Sequence, residues 1–339
     1  MLNNYIQPLI LSILFSFVLS WLVLKLALKL KILDHPRGER KIHNKPTPLL
    51  GGLAIFGGFF IVAFINFKNI ISQTVSQKFI IAMLIGAIIL MIGGYFDDKY
   101  ELSPSKSIIA PILAALAVVI SGLKIDYITN PFGGFFEIGL IFGAIITFLW
   151  IMGMMYTTKI LDGLDGLVAG TTAIGAIIIF FASFQKYFIQ PEVATLALIL
   201  VGSCVGFLFW NFHPAKIFLG EGGSLLCGFL LACMAILSKG KIATTLLIMG
   251  IPILDLIWVI LRRWKEGRAI NVADRKHLHH RLIDIGLSQR NGVIVYYFLT
   301  ALFGGATLFL QSKGKFFVLI FLVIIMALIA GFLGKKSKN

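Results

Sequence analysis

Asp162 and Asp165 stand three residues apart in the stretch TKILDGLDGLVAG, residues 158–170, with Lys159 just before them. The chain around them is 58% hydrophobic and only 13% charged, a setting in which carboxylates are costly unless they meet water, a partner or a ligand. Four further polar clusters share the feature. DHPRGERKIHNKPTPLLGG (34–52) is rich in Arg, Lys and His and ends in a Pro-Gly turn. YFDDKYELSPSK (95–106) sets Asp97 beside Asp98, and WNFHPAKIFLGEGGS (210–224) carries Glu221 among glycines. RRWKEGRAINVADRKHLHHRL (262–282) carries Asp274 with His277, His279 and His280. Carboxylates, imidazoles, basic residues and glycine turns together suit a phosphorylated, metal-associated substrate. Gly220, Gly222 and Gly223 are expected to let backbone amides approach phosphate oxygens at a helix start.

Taken singly, each cluster has a plainer reading. A DD pair in a loop is usually a solvated helix terminus, and DGLDG is an Asp- and Gly-rich turn. HLHH has no cysteine nearby to complete a tetrahedral zinc site. Arg262 and Arg263 read as interfacial anchors at a helix end, and Asp255, three residues after Pro252, as a carboxylate paired inside the bundle. The case for a site is that all five clusters fall on one membrane face.

That face follows from the elements between them. Eleven apolar runs can be read: 6–28, 49–65, 79–95, 108–123, 138–155, 167–184, 193–210, 224–237, 242–261, 293–310 and 316–333. A mean hydropathy of +0.95 is that of a polytopic membrane protein, and several runs approach the ~20 residues that cross a bilayer. The expectation is an all-α integral membrane protein of about eleven transmembrane helices, one domain over 1–339. Most of the 30 Lys and Arg lie in the loops after the odd-numbered runs and in the C-terminal tail. The positive-inside rule then places the N-terminus outside and the C-terminus in the cytoplasm. The first run is long and lacks a small-residue cleavage site, so it reads as a retained helix. The net charge of +15 fits loops that face anionic lipid or an anionic substrate, with no nucleic acid required. Cys204, Cys227 and Cys233 lie within apolar runs and give no disulfide framework or metal spacing.

The residues resemble a known family, the polyprenyl-phosphate N-acetylhexosamine-1-phosphate transferases. RKIHNKPTPLLGG, FDDKYELSP, DGLDGLVAG, FLGEGGS and ADRKHLHHRL occur in the family's order and roughly its spacing, from about residue 34 to 287. The resemblance implies transfer of a sugar-1-phosphate, GlcNAc-1-phosphate by its helix count, from a UDP-sugar to undecaprenyl or another polyprenyl phosphate. UMP leaves, and the reaction opens cell-envelope polysaccharide synthesis on the cytoplasmic face of the inner membrane. Asp97 and Asp98 match the family's pair that handles the lipid phosphate or positions the diphosphate. Asp162 and Asp165 match the pair near the uridine and diphosphate. Phe218 matches the aromatic stacked on uracil, and Glu221 stands where a magnesium-binding Asp is usual. His277, His279 and His280 match the motif at the diphosphate. Lys41, Lys45, Lys159 and Arg275 are candidates to offset the substrate's charge. Mg²⁺ is the implied cofactor, and a homodimer is compatible with the sequence.

Two positions depart from the pattern. Tyr156 and Lys159 replace both Asn residues of N-x-x-N-x-x-D-G-x-D-G-L, and Glu221 replaces the Asp of G-D-x-G-S. An ammonium has no lone pair for a metal, so Lys159 is expected to pair with Glu221 and a diphosphate oxygen, leaving magnesium weakly held. Two other readings stay open: a transporter of an anionic solute, which needs polar groups near the bilayer midplane, and a degenerate member that binds lipid or nucleotide without turnover.

Overall fold

The structure, a computed structural model, describes residues 3–36, 45–185, 189–238, 242–265, 267 and 277–336. Each apolar run of the sequence folds as helix, because a helix satisfies its own backbone polar groups where no water can. The chain opens with α1 (Asn3–Leu30), a two-residue antiparallel pair of β1 (Leu33–Asp34) and β2 (Thr47–Pro48), then α2 (Gly52–Ile65) and α3 (Phe67–Ile70). Next come α4 (Gln77–Tyr100), α5 (Pro104–Ser107) and α6 (Ile109–Ile120), followed by a hairpin of β3 (Tyr127–Thr129) and β4 (Phe135–Glu137). The loop over 121–139 is therefore structured, where the sequence shows nothing distinctive. Helices α7 (Leu140–Leu161), α8 (Leu167–Ala182), α9 (Pro191–Asn211) and α10 (Gly220–Leu237) form the middle of the chain. The last are α11 (Ile242–Ile248), α12 (Gly250–Lys265), α13 (Leu278–Asp284), α14 (Gln289–Phe309) and α15 (Ser312–Lys336).

Among the described residues, six helices are long and apolar enough to cross a membrane: α1, α4, α7, α9, α10 and α14. A seventh is the bent pair α11–α12, which turns by 74°. Helix α10 is the centre. It is apolar all round and buried along almost its whole length, with α2, α4, α7, α8 and α11 packed about it. Between apolar helices in lipid the hydrophobic effect gives little drive, so close backbone approach and polar contacts hold them. Gly94 of α4 meets the backbone of Gly222, and Gly52 of α2 meets Gly223, contacts that leave no room for a Cβ. Helix α1 lies on α9 through small residues in the same way, where the Ser16 hydroxyl donates to the Ser203 carbonyl at 2.6 Å.

The GEGGS glycines therefore have a different use from the one their composition suggests. Gly222 and Gly223 let α10 touch α4 and α2, and they are buried against helix backbone rather than open to a phosphate.

Candidate active site

The carboxylates meet at one end of the bundle. Helix α4 is stopped by Glu101 in the left-handed conformation (φ 47°), whose N–H donates to the Asp97 carbonyl at 2.8 Å, and Pro104 begins the next helix. This leaves Asp97 and Asp98 in the last turn of α4. Asp98 Oδ1 accepts from the Glu221 N–H at 2.9 Å, so its carboxyl group lies on the first turn of α10. Asp98 thereby holds the place that a phosphate would take at this helix start. Gly220 (φ 73°) lies so close to the Asp98 carboxylate that a side chain there would collide with it. A narrow crevice lined by Leu53, Met91, Tyr95 and Leu219 ends at Asp98. Asp97 Oδ1 is buried, with no hydrogen-bond partner among the described residues.

Across from them stands the end of α7. Tyr156 and Lys159 are three residues apart on one helix face, and the Lys159 ammonium is 5.5 Å from the Tyr156 ring centroid. The ammonium is in contact with Glu221 Oε1, and both face the Ser107 hydroxyl, 3.4 Å from Lys159 Nζ and 3.3 Å from Glu221 Oε1. The pair is largely screened from solvent, with side-chain exposures of 31% for Lys159 and 14% for Glu221.

The turn after α7 carries the other two aspartates. Asp162 follows the helix directly, open to solvent yet walled by protein. Partial desolvation in this recess, and then the charges of Glu221, Asp165 and Asp34, push its carboxyl pKa up to about 8. Asp165 is held otherwise: its Oδ2 accepts from His213 Nδ1 at 2.7 Å and from the Ala215 N–H at 3.1 Å. It ties the α7–α8 turn to the loop that carries Phe218. Asn211 makes the same tie, accepting from the Gly166 N–H at 3.0 Å and donating to the Ile217 carbonyl at 2.9 Å. Tyr297 of α14 closes the turn, its hydroxyl donating to the Gly166 carbonyl at 2.6 Å. Phe218, half-buried, is pinned by its backbone, its N–H donating to the Pro48 carbonyl and its carbonyl accepting from Gly51.

His277 belongs to a second group. Its Nδ1 donates to Asp255 Oδ2 at 2.9 Å, and Asp255 Oδ1 accepts from the Leu278 N–H at 3.0 Å, so Asp255 caps α13 and orients the imidazole together. Asp255 is thus paired inside the bundle. Helix α13 packs on α14, which carries Tyr297, and so flanks the carboxylate turn. Lys45 is exposed beside β2. Lys41, Asp274, Arg275 and the side chains of His279 and His280 lie outside the described residues.

The structure brings together Asp97, Asp98, Lys159, Asp162 and Glu221 and places Asp165 and Phe218 in the loop framework beside them. Sequence patterns miss Ser107, Asn211, His213, Tyr297 and the cation–π use of Tyr156. A lone Ser, Asn, His or Tyr has no spacing signal, and only the fold shows what it touches.

Whether magnesium belongs among these residues can be asked of the donors. Among the described residues, no group of three His, Cys, Asp or Glu side chains could hold a metal ion. Glu221 Oε1 already contacts the Lys159 ammonium. A divalent ion ~4 Å from that ammonium would meet repulsion of about 8 kcal/mol at an effective dielectric of ~20. The described residues, with Lys159 against Glu221, do not by themselves form a magnesium site.

An apolar helix bundle with a carboxylate- and lysine-lined recess at one end offers a polar site at the edge of a membrane, and comparison with known proteins gives the family. Residues 80–239 match the family described as "Glycosyl transferase family 4". A Bacillus subtilis (strain 168) protein named "Probable undecaprenyl-phosphate N-acetylglucosaminyl 1-phosphate transferase" is 36% identical over 97% of this chain and 93% of its own length. A "Decaprenyl-phosphate N-acetylglucosaminephosphotransferase" of Mycobacterium leprae (strain TN) is 31% identical over 91% of this chain and 85% of its own. The "Undecaprenyl-phosphate alpha-N-acetylglucosaminyl 1-phosphate transferase" of Salmonella typhi is 24% identical over 97% and 89%. The chain belongs to glycosyl transferase family 4 and is a multi-pass membrane protein.

Proposed function

We propose that the chain transfers N-acetylglucosamine-1-phosphate from its UDP-sugar to undecaprenyl or another polyprenyl phosphate, releasing UMP, as the first membrane step of an envelope polysaccharide. The reading rests on one arrangement: Asp97, Asp98, Asp162 and Glu221, from three separate elements, gathered about Lys159 at one end of the bundle. A transporter of an anionic solute would need such groups near the midplane. The protein then crosses the inner membrane eleven times, α2, α5–α6, α8 and α15 adding to the longer spans, with the site on the cytoplasmic face.

In the reaction an oxygen of the lipid phosphate attacks the β-phosphorus of the UDP-sugar. The bond from that phosphorus to the bridging oxygen breaks, and UMP leaves with the electron pair. A phosphate monoester has a second pKa near ~6 and is largely dianionic at neutral pH, so no strong general base is needed. The difficulty is bringing two anions together, and fixed cations offset it. Lys159 supplies one such charge within the recess. Asp98 fixes the start of α10, Asp165 fixes the Phe218 loop for uracil, and Asp255 sets the face that His277 presents.

The test is transfer of radiolabel from a panel of UDP-sugars to polyprenyl phosphate by the purified protein. Label in the lipid and stoichiometric UMP from UDP-N-acetylglucosamine are expected. Binding of both substrates with no UMP released would instead mark a non-catalytic member.

A further inference from the structure

We infer that Lys159 is the resident cation of this site, standing where a divalent ion would bind Glu221 and contacting the diphosphate directly. The inference rests on the transferase reading and deepens it. Three groups on three elements hold the ammonium: Glu221 of α10, Ser107 of α5 and the Tyr156 ring of α7. A lysine this heavily held is not a solvated helix-end residue. An ammonium has three donors, and Glu221 and Ser107 take at most two. At least one N–H remains for an incoming phosphate oxygen.

The surrounding charge gives the cation its purpose. Asp97 lies within electrostatic range of both Glu221 and Tyr156. Asp97 keeps a buried oxygen with no hydrogen-bond partner among the described residues. Left without a positive charge, this cluster would repel a nucleotide diphosphate. The Lys159–Glu221 pair is neutral as a unit, and a phosphate that draws one N–H outward meets a fixed charge needing no ion from solution. Glu221 carries one methylene more than Asp, and in this geometry it reaches the ammonium. Lys159, Glu221 and Tyr156 thus act as one substituted unit. Magnesium then reaches the site on the nucleotide's diphosphate, and the protein alone holds it weakly.

The test uses the full chain, purified in detergent, and a readout independent of catalysis. Mn²⁺ binding is followed by loss of the free-ion electron paramagnetic resonance signal, without substrate, for wild type, Lys159→Asn, Glu221→Asp and the double variant. The double variant is expected to bind Mn²⁺ at least ~10-fold more tightly than wild type, because the repelling ammonium is gone. Its UMP release should half-saturate at a correspondingly lower Mg²⁺ concentration, and the two single changes should not add. Should the double variant fail to fold, Lys159→Gln, near the same length and uncharged, carries the comparison. Equal Mn²⁺ affinity in wild type and in the lysine-free variants overturns the inference. A wild type that releases no UMP at any ion concentration sinks the transferase reading, while the Mn²⁺ comparison still decides the role of Lys159.

Discussion

Asp98 and Asp255 show how one carboxylate can serve fold and chemistry together, and substitutions can separate the two. Asp98→Asn keeps an oxygen for the Glu221 N–H and removes the ionisable carboxyl group. It should leave the thermal midpoint nearly unchanged while UMP release falls ~100-fold, about 2.7 kcal/mol of transition-state stabilisation. An unchanged rate would reduce Asp98 to a helix cap. Asp255→Ala removes the group that orients the His277 imidazole and leaves the Leu278 N–H uncapped, a cost of about 1–3 kcal/mol. Its midpoint and its rate should both fall, and Asp255→Asn should recover the midpoint better than the rate. Asp162 gives a pH signature. Its raised pKa means the proton stays through neutral pH and leaves as pH passes about 8, adding a negative charge beside an anionic substrate. The KM for the UDP-sugar should therefore rise between pH 7 and 9 in wild type. Asp162→Asn should flatten that limb, and an identical rise in the variant would rule Asp162 out as its source.

At the scale of elements, the site depends on how closely α4 and α2 approach α10. Gly222 touches the Leu90 carbonyl and Gly94, whereas Gly153 on α7 has nothing near its missing side chain. Gly222→Val should force α4 away from α10, destabilise the fold by about 1–3 kcal/mol or more with a lower midpoint, and displace Asp98 from Glu221. Gly153→Ala should be neutral or slightly stabilising, since Ala favours helix. Similar midpoints for the two variants would mean that α4 and α10 do not pack this way. Both glycines look alike in sequence. What distinguishes them is the neighbouring backbone, which belongs to another part of the chain.

For the whole molecule the open quantity is orientation. The five polar clusters should face the cytoplasm and the β3–β4 hairpin the opposite side. In a background without Cys204, Cys227 and Cys233, an impermeant thiol reagent should label Glu137→Cys in intact cells and Ser105→Cys only after permeabilisation. Both positions are exposed. Labelling of Ser105→Cys in intact cells would invert the topology and move the site outside.

The apolar runs were legible in the sequence because lipid imposes one rule, that twenty or so apolar residues close their own hydrogen bonds as a helix. The Asp pairs, Glu221 and Lys159 were legible because charge stands out in an apolar chain. The pairing of Lys159 with Glu221 followed from charge balance at two positions that the family resemblance had brought together. The tertiary structure decided what spacing does not encode: that Gly222 and Gly223 pack helices, that Asp98 occupies a helix start, and that Asp165 is tied to His213. It also brought Ser107 and Tyr156 to the ammonium. Residues 107 and 221 are far apart in the chain, and their contact exists only because α4, α7 and α10 close together at one end.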